Sequence, residues 1–132
     1  MIGKAVLSFV KISPIKLKEV ASLIRGKEAN KSLVVLQFTN KKGAGILGKV
    51  LKSAIANVLQ KESSIDEDSL IVKEVRVDEG SRGKRISFAA RGGASVIKKR
   101  TSHVTIVVEG KPKIKESKKK KTVKDKVKGK PR

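Results

Sequence analysis

The sequence has no cysteine, one histidine and three aromatic residues, all phenylalanine, among its 132 positions. Without cysteine the chain forms no disulfide and no thiolate metal site, and no second histidine is present to complete a metal site with the first. Proteins that read single-stranded nucleic acid usually stack bases on several aromatic side chains. The scarcity of aromatics therefore favours binding to phosphate groups and to a folded shape.

The sequence also has no apolar run that approaches the length of a membrane span. Its first residues, Met1-Ile2-Gly3-Lys4, lack the apolar core of a secretory signal peptide. We therefore expect a soluble protein of the cytoplasm, with no membrane span.

Acidic residues are few, and basic residues are abundant. The chain has 33 Lys and Arg against 12 Asp and Glu, a formal net charge of +21 and a pI of about 10.5. Because this many like charges repel one another, a negatively charged partner is expected: DNA, RNA or an anionic membrane. Residues 111–132 hold twelve Lys or Arg and two acids. This low-complexity segment is predicted to be a disordered tail, following one domain formed by residues 1–110.

The first elements have clear sequence signals. Residues 4–12 favour a short strand. The pair Ser13-Pro14 is typical of a helix start, with Ser as the N-cap and Pro in the first turn. Apolar residues then follow at the i, i+3, i+4, i+7 spacing of one helical face, and Gly26 is a plausible end of that helix.

The middle of the chain is less uniform. Periodicity leaves residues 28–38 open between a buried strand and a short helix. Residues 41–61 predict the main helix, with three glycines near its start that weaken the first turns. Residues 63–69 are polar and acidic and predict a solvated connection.

The second half predicts a long basic β-hairpin. Strand-like segments at 70–77 and 104–108 flank a stretch from Arg82 to His103 that has seven Lys or Arg and no acid, with two glycines near its middle. Each arm would run about 14 residues, or roughly 45 Å, whereas a domain of this size has a radius of gyration of about 13 Å. We expect the hairpin to project, and to be ordered by a partner because an isolated ribbon is marginal in water.

Two basic runs, at 82–85 and 98–100, would face each other on the two strands of this hairpin. Like charges across a ribbon are destabilising. The arrangement is sensible mainly when phosphates lie between and around the cations, so the hairpin predicts a nucleic-acid partner.

Three other patterns could carry chemistry. Residues 43–50 nearly match a phosphate-binding loop, but Val50 replaces the hydroxyl that would hold magnesium, so glycines at a packed helix start are favoured. Ser102 and His103 would point to opposite faces of a strand, which favours a hydrogen bond of His103 to backbone or phosphate over catalysis. The acids at 66–68 predict a solvated loop. We therefore expect no catalytic residue, metal or cofactor.

Six motifs occur in the order and spacing of a known family. They are Ser-Pro-Ile-Lys at 13–16, Leu-Ile-Arg-Gly-Lys at 23–27, Lys-Val-Leu-Lys-Ser-Ala-Ile-Ala-Asn at 49–57, Val-Asp-Glu-Gly at 77–80, Lys-Arg at 84–85 and Lys-Arg-Thr-Ser-His-Val at 99–104. Over about residues 2–109, the chain resembles the family of ribosomal protein L-twenty-two of the bacterial large subunit.

The resemblance implies an α+β fold, with three helices packed on a small antiparallel sheet and a long protruding hairpin at about 75–108, and it makes residues 28–38 helical. It implies a structural role: binding large-subunit (23S) rRNA, helping its assembly, and extending the hairpin to the wall of the peptide exit tunnel. Implied partners are several rRNA domains, neighbouring large-subunit proteins, and the nascent peptide near the tip.

The residues expected to bind rRNA are basic or polar positions of the body and of the hairpin. They are Lys11, Lys16, Lys18, Arg25, Lys27, Lys49, Lys52, Asn57, Arg82, Lys84, Arg85, Lys98, Lys99, Arg100, Thr101, Ser102 and His103. The tip expected at the tunnel wall is Phe88, Ala89, Ala90, Arg91, Gly92 and Gly93. The family commonly has Pro-Arg-Ala-x-Gly-Arg at this tip, so two arginines of that pattern are missing here.

Two hypotheses of other classes remain beside this one. A DNA-compacting, histone-like protein would also be basic and would also have an extended arm. It would prefer duplex DNA over large-subunit rRNA. A small nucleotide hydrolase would use residues 43–49, and its nucleotide binding would depend on Lys49.

Overall fold

The computed structural model describes residues 1–110, and the predicted tail, 111–132, lies outside the described residues. The elements in chain order are β1 (Ile2–Val10), α1 (Pro14–Ile24), α2 (Ala29–Phe38), α3 (Lys42–Lys61), β2 (Leu70–Phe88) and β3 (Ala94–Gly110). A short 3-10 turn at Glu67–Ser69 precedes β2, and a second 3-10 turn at Ala90–Gly92 joins β2 to β3. The predicted α+β class, three helices on a small antiparallel sheet, is confirmed.

The three strands form one antiparallel sheet in the order β1-β3-β2. The last strand along the chain is therefore the central one. Its end is tied to the first residue, because the Met1 amine donates to the Gly110 carbonyl at 3.1 Å and the Gly110 N–H donates to the Met1 carbonyl at 2.9 Å. The central strand continues outward as one arm of the hairpin, so the hairpin is anchored in the middle of the body.

One face of the sheet is covered by the helices, and this layer holds the core. Alternate residues of β3, Val104, Ile106 and Val108, are fully buried, as the period of two in a strand requires. The helices contribute apolar stripes that include Leu17 and Leu51, which have no exposed surface. Full burial of each such side chain stabilises the fold by about 1.5–3 kcal/mol.

The first helix begins and ends where its sequence signals predict. Ser13 precedes it in an extended conformation, with Pro14 in the first turn. At the other end Gly26 has φ +75, the left-handed conformation that favours glycine. The N–H of Gly26 donates to the Val72 carbonyl at 3.0 Å, and Val72 donates to Lys27 at 2.9 Å, so this turn is bonded to β2.

The ambiguous segment 28–38 is helical from Ala29 onward, as the resemblance implied. One side of α2 is buried through Ala29, Ser32 and Leu36. The hydroxyl of Ser32 has no exposed surface and donates to the Glu28 carbonyl at 2.8 Å. Packing of this narrow stripe decides the conformation that periodicity left open.

The glycines near residue 43 belong to a packed helix and not to a phosphate loop. The element before α3 is a helix, and Gly43 and Gly45 lie within the first turns of α3. A Cβ at Gly43 would lie 3.0 Å from Cδ2 of Leu17, so this glycine allows α1 to approach α3. The nucleotide-hydrolase hypothesis, which needs a strand followed by a loop here, is wrong.

The first strand also approaches α3 through a glycine. A Cβ at Gly3 would collide with the Val58 side chain and would lie 2.7 Å from the Ala54 carbonyl oxygen. Beside this contact, the Asn57 side-chain amide donates to the Lys4 carbonyl at 2.9 Å. Gly3 thus allows the strand and the helix to lie in direct backbone contact.

We expect Gly3→Ala to lower the free energy of unfolding by about 1–3 kcal/mol, because the added methyl group has no space. Gly45→Ala is the matched control, since nothing lies within 4 Å of its added Cβ and alanine favours a helix. Thermal unfolding of the full chain, followed by circular dichroism, measures both. An unchanged melting temperature for Gly3→Ala would contradict this packing.

Candidate nucleic-acid interface

The hairpin projects from the body as a two-stranded ribbon. Strands β2 and β3 pair from Leu70 opposite Gly110 out to Phe88 opposite Ala94, so the turn lies where the sequence predicted it. Between residues 81 and 100 every residue is exposed except Ser87, which is half-buried. The predicted protruding arm is therefore present, and no other element of the described part of the chain, 1–110, covers either face.

The cations of the two strands face each other in register. Arg82 lies opposite Arg100, and Lys84 lies opposite Lys98. Residues directly opposite in an antiparallel pair have their Cβ atoms about 4.5–5.5 Å apart and share a face. The predicted juxtaposition of the two basic runs is confirmed, and four like charges lie together on one face of the ribbon.

One acid lies at the base of this cluster. The Arg82 Nε donates to the Glu79 carboxylate at 2.7 Å, and this hydrogen bond holds the pKa of Glu79 below its ordinary value. The same bond raises the pKa of Arg82. Within residues 1–110, Lys84, Lys98 and Arg100 have no ion-pair partner. The cluster therefore keeps most of its positive charge.

The body adds to this charge at the root of the hairpin. An open groove of about 670 Å³ lies between the ribbon and the segment that joins β1 to α1. Its lining residues are Lys11, Ser13, Ser81, Gly83, Lys84, Arg85, Lys98, Lys99, Arg100 and Thr101. The groove brings the predicted residue Lys11 together with the hairpin cations, and no acid is among its lining residues.

A second cleft, of about 540 Å³, shares Lys11 and Ser13 with the first. It adds the predicted residue Lys16 and two lysines that sequence reasoning missed, Lys41 and Lys42. Lys41 is bonded to Glu19 at 2.8 Å, which lowers the pKa of that carboxyl. The doublet was visible as a short basic run, but only the packing of α3 against α1 places it beside Lys11.

The remaining predicted cations lie on other parts of the body. Lys18 and Arg25 line a cleft against β2, where Arg25 donates to the Val75 carbonyl at 2.7 Å. Lys49 and Lys52 line a shallow cleft of about 230 Å³ between α2 and α3. Lys27 is exposed in the turn after α1. The predicted set is thus spread over several surfaces and is not one site.

Two predicted contact residues have side chains engaged within the fold. Ser102 has no exposed surface, and its hydroxyl donates to the Ile12 carbonyl at 2.5 Å. Its side chain is therefore unavailable for RNA, and that prediction is corrected: Ser102 lies on the core-facing side of β3. Asn57 is half-buried and bonded to Lys4, so it joins α3 to β1.

His103 forms a hydrogen bond to the backbone, which is one of the two partners, backbone or phosphate, that the sequence predicted for it. Its Nδ1 accepts the Phe9 N–H at 3.1 Å, and the two rings meet edge-to-face at 4.8 Å. Phe9 has φ 57 at an irregularity in the pairing of β1 with β3. Two positions before His103 on β3, Thr101 donates from its hydroxyl to the Ser81 carbonyl at 2.7 Å. His103 and Thr101 therefore both stabilise the root of the hairpin.

The tip is small and carries one charge. The 3-10 turn Ala90–Gly92 has Arg91 in the left-handed region at φ 59. The Ala89 N–H donates to the Gly93 carbonyl at 2.8 Å and closes the turn. Phe88 is 88% exposed. The end of the ribbon is therefore slender, and Phe88 is the largest apolar side chain exposed there.

Residues 1–110 contain no cluster of three or more His, Asp or Glu side chains placed to hold a metal ion. None of the helices α1 to α3 has the length and apolar content needed to cross a membrane.

Comparison with known proteins agrees with the resemblance found in the motifs. The family model for ribosomal protein L22p/L17e matches residues 5–109. The chain belongs to this family. Among curated relatives, large ribosomal subunit protein uL22 of Desulfitobacterium hafniense (strain Y51) is 49% identical over 106 residues, covering 80% of this chain and 92% of that protein.

Two further relatives carry the same name. Large ribosomal subunit protein uL22 of Thermus thermophilus is 46% identical over 108 residues, covering 82% of this chain and 95% of that protein. The protein of Thermoanaerobacter sp. (strain X514) is 45% identical over 111 residues, covering 84% of this chain and 99% of that protein. Family membership makes this chain a structural ribosomal protein and not an enzyme, as the sequence predicted.

We expect Ser102→Ala to lower the free energy of unfolding by about 1–3 kcal/mol, because it leaves the Ile12 carbonyl without its partner. Ser95→Ala, on the exposed part of the same strand, is the matched control and should leave stability unchanged. Chemical denaturation of the full chain measures both. Equal midpoints for the two variants would show that the buried hydroxyl does not stabilise the hairpin root.

Proposed function

We propose that this ribosomal protein is a structural constituent of the large subunit that binds 23S rRNA, helps it assemble, and extends its hairpin to the wall of the peptide exit tunnel. The observation that carries the proposal is the set of facing cations, Arg82 with Arg100 and Lys84 with Lys98. Like charges directly opposite are destabilising, Glu79 offsets this only at Arg82, and phosphate groups would remove the remaining repulsion.

The groove at the hairpin root suits a sugar-phosphate backbone. It is open, with lysines and arginines along the ribbon and Lys11 on the opposite side. Arginine can bind phosphate through two parallel hydrogen bonds, whereas lysine acts as a point charge. Contacts of this kind fix position and orientation without reading bases. Recognition would therefore follow the shape of folded RNA and not a linear sequence.

The other predicted residues support a role in assembly. Lys18 and Arg25 lie against β2, whereas Lys49 and Lys52 lie between α2 and α3. Cations on separate surfaces of one body, together with a long arm, would hold separate rRNA segments at fixed distances. Lys16, Lys27 and the newly found Lys41 and Lys42 extend this basic surface. A single domain formed by residues 1–110 would carry all of these contacts.

The tip is the part of the hairpin farthest from the body of residues 1–110, and it would reach the farthest point from that body. In the proposed arrangement the turn Ala90–Gly92 lies at the tunnel wall, where the nascent peptide passes. Neighbouring large-subunit proteins would contact the body. The protein would accordingly reside in the ribosomes of the cytoplasm. No feature of the described residues favours the DNA-compacting alternative over this one.

We expect Arg85→Glu combined with Lys99→Glu to impair incorporation into large subunits strongly, because both reversed charges lie in the groove at the hairpin root. The variant protein should still fold, since both residues are exposed and outside the core. Quantitative mass spectrometry of purified subunits, from cells that express tagged variant and untagged wild type together, measures incorporation.

The control for this experiment is Lys31→Glu combined with Lys61→Glu. It changes the net charge by the same amount at exposed positions on α2 and α3, away from the hairpin groove. The control should enter subunits at close to the wild-type level. Normal incorporation of the hairpin variant would refute the hairpin's role, and equal loss in both variants would show that net charge alone matters.

A further inference from the structure

The hairpin has two zones of different chemistry. The lower hairpin, residues 82–85 and 98–100, carries six cations. The outer hairpin, residues 86–97, carries one, Arg91. In place of charge the outer hairpin has four large apolar side chains, and the exposed fractions are 64% for Ile86, 88% for Phe88, 60% for Val96 and 44% for Ile97. The end of the arm therefore differs from its root in what it can bind.

The register places three of these side chains on one face. Ile86 lies opposite Val96, and Phe88 lies opposite Ala94. Residues directly opposite share a face, and so do alternate residues along a strand. The apolar strip therefore continues the face that carries the facing pair Lys84 and Lys98. Ile97 lies opposite Arg85 and belongs to the other face.

This strip has no place in the protein's own core. No other element of residues 1–110 covers the outer ribbon, and residues 88–100 are all exposed. Exposed apolar side chains that cluster on a projecting element mark a surface for a partner. Phe88 is the largest of them, and its ring has no aromatic neighbour among residues 1–110. Within residues 1–110 the strip has no partner, so it is available for a contact with another molecule.

Charge selects the chemistry of that partner. Residues 80–108 include no acid, and the cations of the lower hairpin border the strip directly. A cationic or neutral apolar partner would gain nothing from these cations. A partner that combines negative charge with flat apolar faces satisfies both zones at once. An unstacked nucleobase beside its own phosphate is such a partner, because every base has a π-face on which an aromatic ring can stack.

Building on the proposed function, we propose that the outer hairpin binds unstacked bases of large-subunit rRNA, with the Phe88 ring stacked on a base and with Ile86 and Val96 beside it. The lower hairpin then neutralises phosphates, and the outer hairpin adds contacts that involve no charge. The two zones should consequently respond differently to salt. Loss of a phosphate contact reduces the dependence of affinity on salt, whereas loss of a stacking contact does not.

The test is the affinity of the full chain for 23S rRNA transcribed in vitro, measured over a range of KCl concentrations. Phe88→Ala should weaken binding by roughly 5- to 150-fold at every concentration, with an unchanged slope of log K against log salt. Lys84→Ala should instead make that slope shallower by about 0.7–0.9. Phe88→Trp should bind like wild type, and Phe88→Leu should lose most of the affinity that Phe88→Ala loses.

Each result decides between defined outcomes. If Phe88→Leu binds as well as wild type, the contact is apolar without stacking and the inference is overturned. If Phe88→Ala binds as well as wild type while Lys84→Ala shows its shallower slope, the outer hairpin does not touch RNA and the proposed function still stands. If wild type shows no salt-dependent binding to 23S rRNA, both the proposed function and the inference are overturned.

A photo-crosslinking residue at position 88, in assembled large subunits, identifies the partner directly. Adducts to rRNA support the inference. Adducts to a neighbouring protein or to the nascent chain, without rRNA, overturn it. All these variants should keep the wild-type melting temperature, because Phe88 lies outside the core.

Discussion

Electrostatic repulsion across the hairpin is the constraint on which the account depends. Arg82 faces Arg100 and Lys84 faces Lys98, and among residues 1–110 the one acid that forms an ion pair with these four cations is Glu79, on Arg82. Two unit charges about 4 Å apart interact by roughly 1 kcal/mol in water and by more where water is partly excluded. A ribbon with no covering layer has little packing energy to offset this repulsion. Phosphate groups would convert the repulsion into attraction.

The body makes this unfavourable arm possible by anchoring it centrally. Strand β3 lies in the middle of the sheet, and its core-facing residues Val104, Ile106 and Val108 are fully buried. Ser102 ends this buried row with its bond to Ile12, and beyond it the strand leaves the body. One strand therefore supplies both fully buried core residues and one exposed arm of the hairpin.

Local patterns predicted most of the fold, because turn and helix signals such as Ser13-Pro14 act over a few residues. The hairpin turn and the facing cations followed from pairing the strand-like segments at 70–77 and 104–108, because the midpoint of an antiparallel pair sets the turn and the residues that face each other. Sequence could not place Lys41 beside Lys11, because that proximity depends on how α3 packs against α1. It also misplaced Ser102: the family motif at 99–104 implied an RNA contact, but alternation along β3 turns this side chain inward, where it bonds to the Ile12 carbonyl.

The most direct test of the central claim is amide hydrogen exchange at residues 82–100, in the free protein and in assembled large subunits. The account predicts that these amides exchange much faster in the free protein than those of the buried strand residues 104–108. On assembly they should become as protected as those strand residues. Equal protection of the hairpin in both states would show that the ribbon is stable without phosphate and would contradict the account.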